Sequence, residues 1–164
     1  MKKMPESLKA KIQMFKKSRL DISDLIEGYS LRDEDLSYSI ISKFNRNDED
    51  MTNINLAYSV IGTEGSKNPI IWTKCIVRNG IFKGTKFPGL FYFRKNDASG
   101  SNFNESYLAY MEYQGTNFTN CTFCDAVIRI GSRLGVGAKF DKYFFKELTK
   151  YWNLAVDVKN ENKE

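Results

Sequence analysis

At 164 residues and 19.0 kDa the chain is long enough for one compact domain or one short repeat array, and too short for two ordinary domains with a linker. Its 41% hydrophobic, 14% aromatic and 27% charged residues exclude a disordered or collagen-like composition. The net charge is +5, and the absence of histidine removes Ser-His-Asp and Cys-His nucleophile pairs, histidine acid–base chemistry and His-containing zinc sites together.

The first residues, MKKMPESLKAKIQMFKK, lack the apolar core of a signal peptide, and no stretch approaches the roughly 20 apolar residues of a membrane span. A cytoplasmic protein with no membrane association is expected. Pro5 and Ser7 introduce Leu8, Ile12 and Phe15 at helical spacing, so residues 1–20 are expected to form an N-terminal helical cap. The cap is basic, through Lys2, Lys3, Lys9, Lys11, Lys16, Lys17 and Arg19 against the single Glu6.

Residues 21–137 follow a different rhythm. Apolar residues recur every five positions in three blocks. The first is centred on Leu31, Leu36, Ile41, Arg46, Met51, Leu56 and Ile61, and the second on Trp72, Val77, Phe82, Phe87 and Tyr92. The third is centred on Phe103, Leu108, Tyr113, Phe118, Phe123 and Ile128. Of these 18 centres 17 are apolar, where about seven would follow from the overall hydrophobic fraction. Each join between blocks carries one extra residue, and each contains loop formers, at Gly62–Pro69 and Lys95–Gly100.

A period of five fits neither the 3.6 of a helix nor the 2 of a flat strand, so the chain must turn the same way every five residues. The large central side chain and a small residue two places earlier then point inward. In the last block those small positions hold Ser101, Ser106, Thr116, Cys121 and Ala126, with Met111 the exception. Repetition winds a parallel solenoid whose successive coils share main-chain hydrogen bonds. Beyond it, Gly135 and Gly137 break the pattern, and Phe140, Phe144, Phe145, Leu148 and Trp152 define one apolar helical face with Lys142, Lys146 and Lys150 on another. A C-terminal helix over 138–156 is expected, followed by a disordered tail at 157–164.

Several centres are preceded by Asp or Asn and followed by a small residue, as in Asp35-Leu36-Ser37, Asp50-Met51-Thr52, Asn55-Leu56-Ala57, Asn102-Phe103-Asn104 and Asn117-Phe118-Thr119. This resembles the pentapeptide-repeat family over about 100 of the 164 residues. The resemblance implies an all-β solenoid, a right-handed parallel quadrilateral β-helix of roughly four to five coils, flanked here by the N-terminal helical segment and the C-terminal capping helix. The pattern is degraded in the first block, where Glu34 and Glu49 occupy small inward positions and Arg46 a centre. Either the register there is wrong or the first coil is irregular.

Function is less legible than fold. A filled rod offers no pocket for catalysis, and no enzyme motif is present. The expected protein is therefore a non-enzymatic interaction rod, without cofactor or metal, that binds an unidentified protein partner. Cys121 and Cys124 form a CxxC without a second pair, and reduced thiols are expected. The glycines of GSRLGVG, residues 131–137, lack the Lys-Ser/Thr ending of a phosphate loop and read as a turn closing the solenoid. Charge is segmented: residues 21–63 carry nine acids and three bases, while every other segment is basic. Asp33, Glu34 and Asp35 lie three pentapeptides before Asp48, Glu49 and Asp50, which places both trios on neighbouring faces as a candidate partner-binding surface. The resemblance adds two implications. One is homodimerisation through the C-terminal helix, with Phe144, Phe145, Leu148 and Trp152 as contacts. The other is DNA mimicry directed at DNA gyrase or topoisomerase IV, from which this chain departs in being basic overall. The basic N-terminal arm offers the opposite alternative, an anionic surface as partner, although direct DNA binding is not expected.

Overall fold

The five-residue period is realised as a β-solenoid of about four turns, preceded by one helix. The structure, a computed structural model, describes residues 1–108, 110–128 and 138–140. Helix α1, Glu6–Lys17, starts after Pro5 and carries Glu6 in its first turn and Lys16 and Lys17 in its last, each suited to the helix dipole. Ile12 is buried, and Leu8 and Phe15 pack against the core, as the helical spacing anticipates. The residues ahead of the helix are also tied down: Lys2 bridges Tyr29 in parallel, and Met4 is buried.

The solenoid strands are β1 (Ile40–Ile41), β2 (Arg46–Asn47), β3 (Val60–Ile61), β4 (Ile70–Thr73), β5 (Phe91–Arg94), β6 (Tyr107–Leu108), β7 (Met111–Glu112), β8 (Asn117–Phe118), β9 (Val127–Ile128) and β10 (Lys139–Phe140). Together with isolated bridges they form four parallel ladders, here numbered as faces in chain order. The first face stacks Asp50, Ile76, Asp97, Asn117 and Lys139. The second stacks Asp35, Asn55, Ile81, Asn102 and Thr122. The third stacks Asp21, Ile40, Val60, Lys86, Tyr107 and Val127. The fourth is the sheet β2-β4-β5-β7. Because each face recurs after four pentapeptides, Ile40 meets Val60 and Tyr107 meets Val127, twenty positions on.

Three of the four corners share one turn. At most of these turns the carbonyl of the centre accepts the N–H three residues on, as in Ser59 to Leu56 at 3.1 Å, Thr85 to Phe82 at 3.0 Å and Ala126 to Phe123 at 3.1 Å, whereas Trp72 O and Phe93 O accept from Asn96 Nδ2 and Thr116 Oγ1. The residue two after the centre takes the left-handed conformation this turn requires. Among these are Asp33, Asn53, Asn79, Gly84, Gly100, Gly115 and Asn120, of the Gly, Asn and Asp types that tolerate it best. The Asp or Asn before the centre fixes the strand end by accepting the N–H two residues on: Asp35 from Ser37 at 2.9 Å, Asn55 from Ala57 at 3.0 Å, Asn102 from Asn104 at 2.9 Å. The small inward residue serves the neighbouring coil. Ser59 Oγ donates to Leu36 O at 2.8 Å, Thr85 Oγ1 to Leu56 O at 2.6 Å, Ser101 Oγ to Val77 O at 2.8 Å and Thr116 Oγ1 to Phe93 O at 2.6 Å. Corner carbonyls outside the ladders thus find partners within a core of stacked rings, such as Phe82 on Phe103 at 4.6 Å and Phe103 on Phe123 at 5.0 Å.

Three details differ from the sequence reading. First, Phe93 rather than Tyr92 is the inward centre: Phe93 is fully buried in register with Trp72, whereas Tyr92 is half-buried with Arg94 over its ring. Second, Lys95–Gly100 is not a loop but a regular repeat with Ala98 as its buried centre and Asn96 inward. The extra residue instead sits at Pro88–Leu90, between Phe87 and Phe93. The Gly62–Pro69 loop is present, and it adds six residues to its turn so that Arg46 pairs Trp72 twenty-six positions on. Third, Lys139–Phe140, at the start of the expected C-terminal helix, pair in parallel with β8. The remaining helix residues, the tail and GSRLGVG lie outside the described residues.

Candidate interaction surfaces

The degraded first block is in register. Arg46 points inward as a centre, donates to Ile26 O at 3.2 Å from its Nη2 and lies 5.1 Å over the Phe44 ring. Its charge is matched by Glu49, 3.5 Å away and also inward, whose carboxyl burial pushes above its usual pKa. Glu34, the other inward acid, is buried and reaches Lys9 of α1 at 3.1 Å.

The same pairing extends through the candidate acidic surface. Asp35 faces Lys16 at 3.8 Å, Asp33 and Asp50 both pair Arg32, and Asp48 lies 3.8 Å from Lys74. Asp33 also accepts from Asn53 Nδ2 at 2.7 Å. The two trios flank the first face as the fifteen-residue spacing anticipates, but every one of the six carboxylates has a cation beside it. Two of those cations come from α1, so part of the basic arm is spent internally. Phe144, Phe145, Leu148 and Trp152 lie outside the described residues.

The rod offers little for chemistry. Its centre is filled by Trp72, Phe82, Phe87, Phe93, Phe103 and Phe118, all buried. Among the described residues no three His, Cys, Asp or Glu side chains gather as metal ligands. Cys75 is buried, which pushes its thiol above the usual pKa, and Cys121 Sγ donates to Ala98 O at 2.9 Å. No helix among them is long and apolar enough to cross a membrane.

A surface missed in the sequence reading lies on the third face. Its outward column holds Ile40, Val60, Lys86, Tyr107 and Val127 where the first and second faces hold mostly Asp and Asn. The position before each centre, read one face at a time, carries that signal in the sequence.

These features define a β-solenoid built on a five-residue repeat, with an N-terminal helix against its first turns. The solved structures to which it is similar are pentapeptide-repeat proteins. QnrB1, described as a plasmid-mediated fluoroquinolone resistance protein, is 13% identical over 77% of this chain and 71% of its own, with a TM-score of 0.33. A pentapeptide-repeat protein of the Arabidopsis thaliana thylakoid lumen is 13% identical over 71% and 64%, with a TM-score of 0.28. Rfr23 from the cyanobacterium Cyanothece 51142 is 14% identical over 63% and 84%, with a TM-score of 0.23. No family model and no curated protein matches the chain.

Proposed function

We propose that this protein is a non-enzymatic, rigid interaction rod of the cytoplasm, a right-handed quadrilateral β-helix that presents its flat outer faces to a protein partner. The observation that carries this reading is the interior: each turn is closed by side chains stacked on the next, so chemistry and recognition are left to the outside. Affinity capture with the full chain, followed by cross-linking to place the captured protein on a named face, tests it. A stoichiometric protein partner on one face is the expected result; turnover of a small-molecule substrate, or no protein partner, overturns it.

Topoisomerase-directed DNA mimicry is the second reading, brought by the pentapeptide-repeat resemblance. A mimic needs carboxylates free to replace phosphates, and the six candidates here are paired with Lys9, Lys16, Arg32, Arg46 and Lys74. Purified protein is therefore expected to leave gyrase and topoisomerase IV supercoiling and relaxation unchanged at micromolar concentration. Inhibition or protection in that assay would restore mimicry as the function. Dimerisation through the segment after Phe140 is a further part of this reading, brought by the same resemblance.

A further inference from the structure

The third face differs from the other three in both composition and charge. On the first, second and fourth faces, cations and acids pair between neighbouring coils: Arg32 with Asp50, Arg78 with Asp97, Lys83 with Glu105, Arg94 with Glu112. On the third face no ion pair forms among the described residues. Its outward column runs Ile40, Val60, Lys86, Tyr107 and Val127, and Tyr38 and Tyr58 stack at 5.2 Å along one edge. Tyr38 is 65% exposed, Tyr58 42% and Val127 41%. Lys86 within the column and Lys43 and Lys67 on the other edge are exposed and make no ion pair among the described residues.

The corner chemistry explains why this face is free to be apolar and makes its content informative. The third face lacks the left-handed residue used two places after the centre elsewhere, since Lys43, Thr63 and Gly89 have no positive φ. Past Asp21, then, no Asp or Asn is needed there to hold the strand end. Nothing in the fold calls for β-branched and aromatic residues on its outside either, and polar residues would hydrate it at no structural cost.

We infer that the third face is a docking surface for an acidic amphipathic segment of another protein, whose apolar side lies along the Ile40–Val127 column and whose carboxylates meet Lys43, Lys67 and Lys86. This rests on the interaction-rod reading and names the face and the chemistry of its partner. Charge decides between occupants. A second copy laid face to face sets Lys86 against Lys86, and Asp50, Asp97, Glu105 and Glu112 on its other faces already hold cations of their own. The chain's residues 141–164 carry five acids and five bases, so they supply no net complement. Four ladder steps of about 4.8 Å make the Ile40–Val127 column roughly 19 Å long, which matches a helix of about 13 residues lying along the rod.

The test uses the full chain and a labelled helical peptide of that length, with Leu and Ile on one face and Glu flanking them. Fluorescence anisotropy is expected to show saturable binding that weakens with salt. Affinity should fall tenfold or more both in the triple variant Lys43→Glu, Lys67→Glu, Lys86→Glu and in Val60→Asp. It should stay within twofold in Arg78→Glu on the first face, with circular dichroism unchanged in the exposed-lysine variants. No binding, binding insensitive to the lysine reversals, preferential binding of a labelled single-stranded oligonucleotide, or self-association lost in Val60→Asp each overturns the inference. If capture still yields a protein partner cross-linked to another face, the inference fails while the interaction-rod reading stands.

Discussion

The displaced centre at Phe93 gives the sharpest test of register. Phe93 is fully buried, with ring centroids 5.7 Å from Trp72, 5.2 Å from Phe91 and 5.9 Å from Phe118. Truncation to Ala leaves a cavity that three rigid rings cannot collapse into, at a cost of about 3–5 kcal/mol. Tyr92 faces outward, and its main loss on truncation is the Arg94 guanidinium 4.3 Å above its ring, worth about 0.5–1 kcal/mol at an exposed site. Taken as one cooperative unit of this size, the rod should melt about 6–20 °C lower in Phe93→Ala and only a few degrees lower in Tyr92→Ala. Thermal melts followed by circular dichroism and tryptophan fluorescence read both, since Trp72 reports the same layer. Equal shifts, or a larger one for Tyr92→Ala, would refute the placement of the extra residue at Pro88–Leu90 and restore the register read from the sequence.

The other predictions concern corners, charges and the far end. Gly100 has φ +73°, and a Cβ there would sit 2.5 Å from Asn79 Oδ1, so Gly100→Ala should destabilise by about 1–2 kcal/mol in urea unfolding, against no loss if the corner can relax. Hydrogen bonding and pairing hold four carboxyls, Asp21, Asp35, Asp50 and Asp97, below their usual 3.8. Asp50 is held chiefly by the Thr52 hydroxyl; for Asp35 and Asp97 burial opposes the shift and is outweighed by Ser37 and by Arg78 with Ser99. Such groups bind protons more readily unfolded than folded, so their contribution is complete above 3.8 and is lost as pH falls toward the folded values. The urea midpoint should drop between about pH 5 and pH 2, and a flat or rising midpoint contradicts this. Lys9→Ala strands the buried Glu34 and should lower stability more than Lys11→Ala on the same helix, a ranking that equal melts would dismiss. Trp152→Arg should shift sedimentation toward monomer if the C-terminal segment joins two copies; an unchanged distribution removes that role.

What the sequence made legible was whatever repeats. The inward centres from Leu31 to Phe87 and from Phe103 to Phe118 stand out because a side chain pointing into a filled column has few alternatives, and all of them are large and apolar apart from Arg46. Phe91, Tyr92 and Phe93 are three aromatics in a row, so composition gives no phase there. The residues of KNDASG look like a loop, yet each suits the repeat: Asn96 reaches Trp72 O, Asp97 bridges its neighbours, and Gly100 takes the left-handed corner. Loop-forming residues and corner-forming residues are the same types for the same reason, tolerance of positive φ, and sequence alone does not separate them. The acidic trios were legible as a spacing and not as a surface, because their neutralisation depends on α1, on pairs between coils such as Arg32 with Asp50 and Lys74 with Asp48, and on an inward Arg46.

Both departures from the twenty-residue turn lie at one corner, between the third and fourth faces: six extra residues after Ile61 and one after Phe87. At the other corners a left-handed residue two places after the centre fixes a tight path that leaves little room for insertion. At the third-to-fourth corner Lys43, Thr63 and Gly89 take no such conformation, so extra residues there add loop without breaking a ladder. One missing left-handed residue per turn thus has two consequences on the same side of the rod. It lets Gly62–Pro69 bulge outward, and it frees the outward positions of the third face from corner duty. Sequence variation on a rod of this kind should collect along that edge, where the backbone tolerates it, and the apolar column beside it is the part of the surface whose residues the fold itself does not dictate.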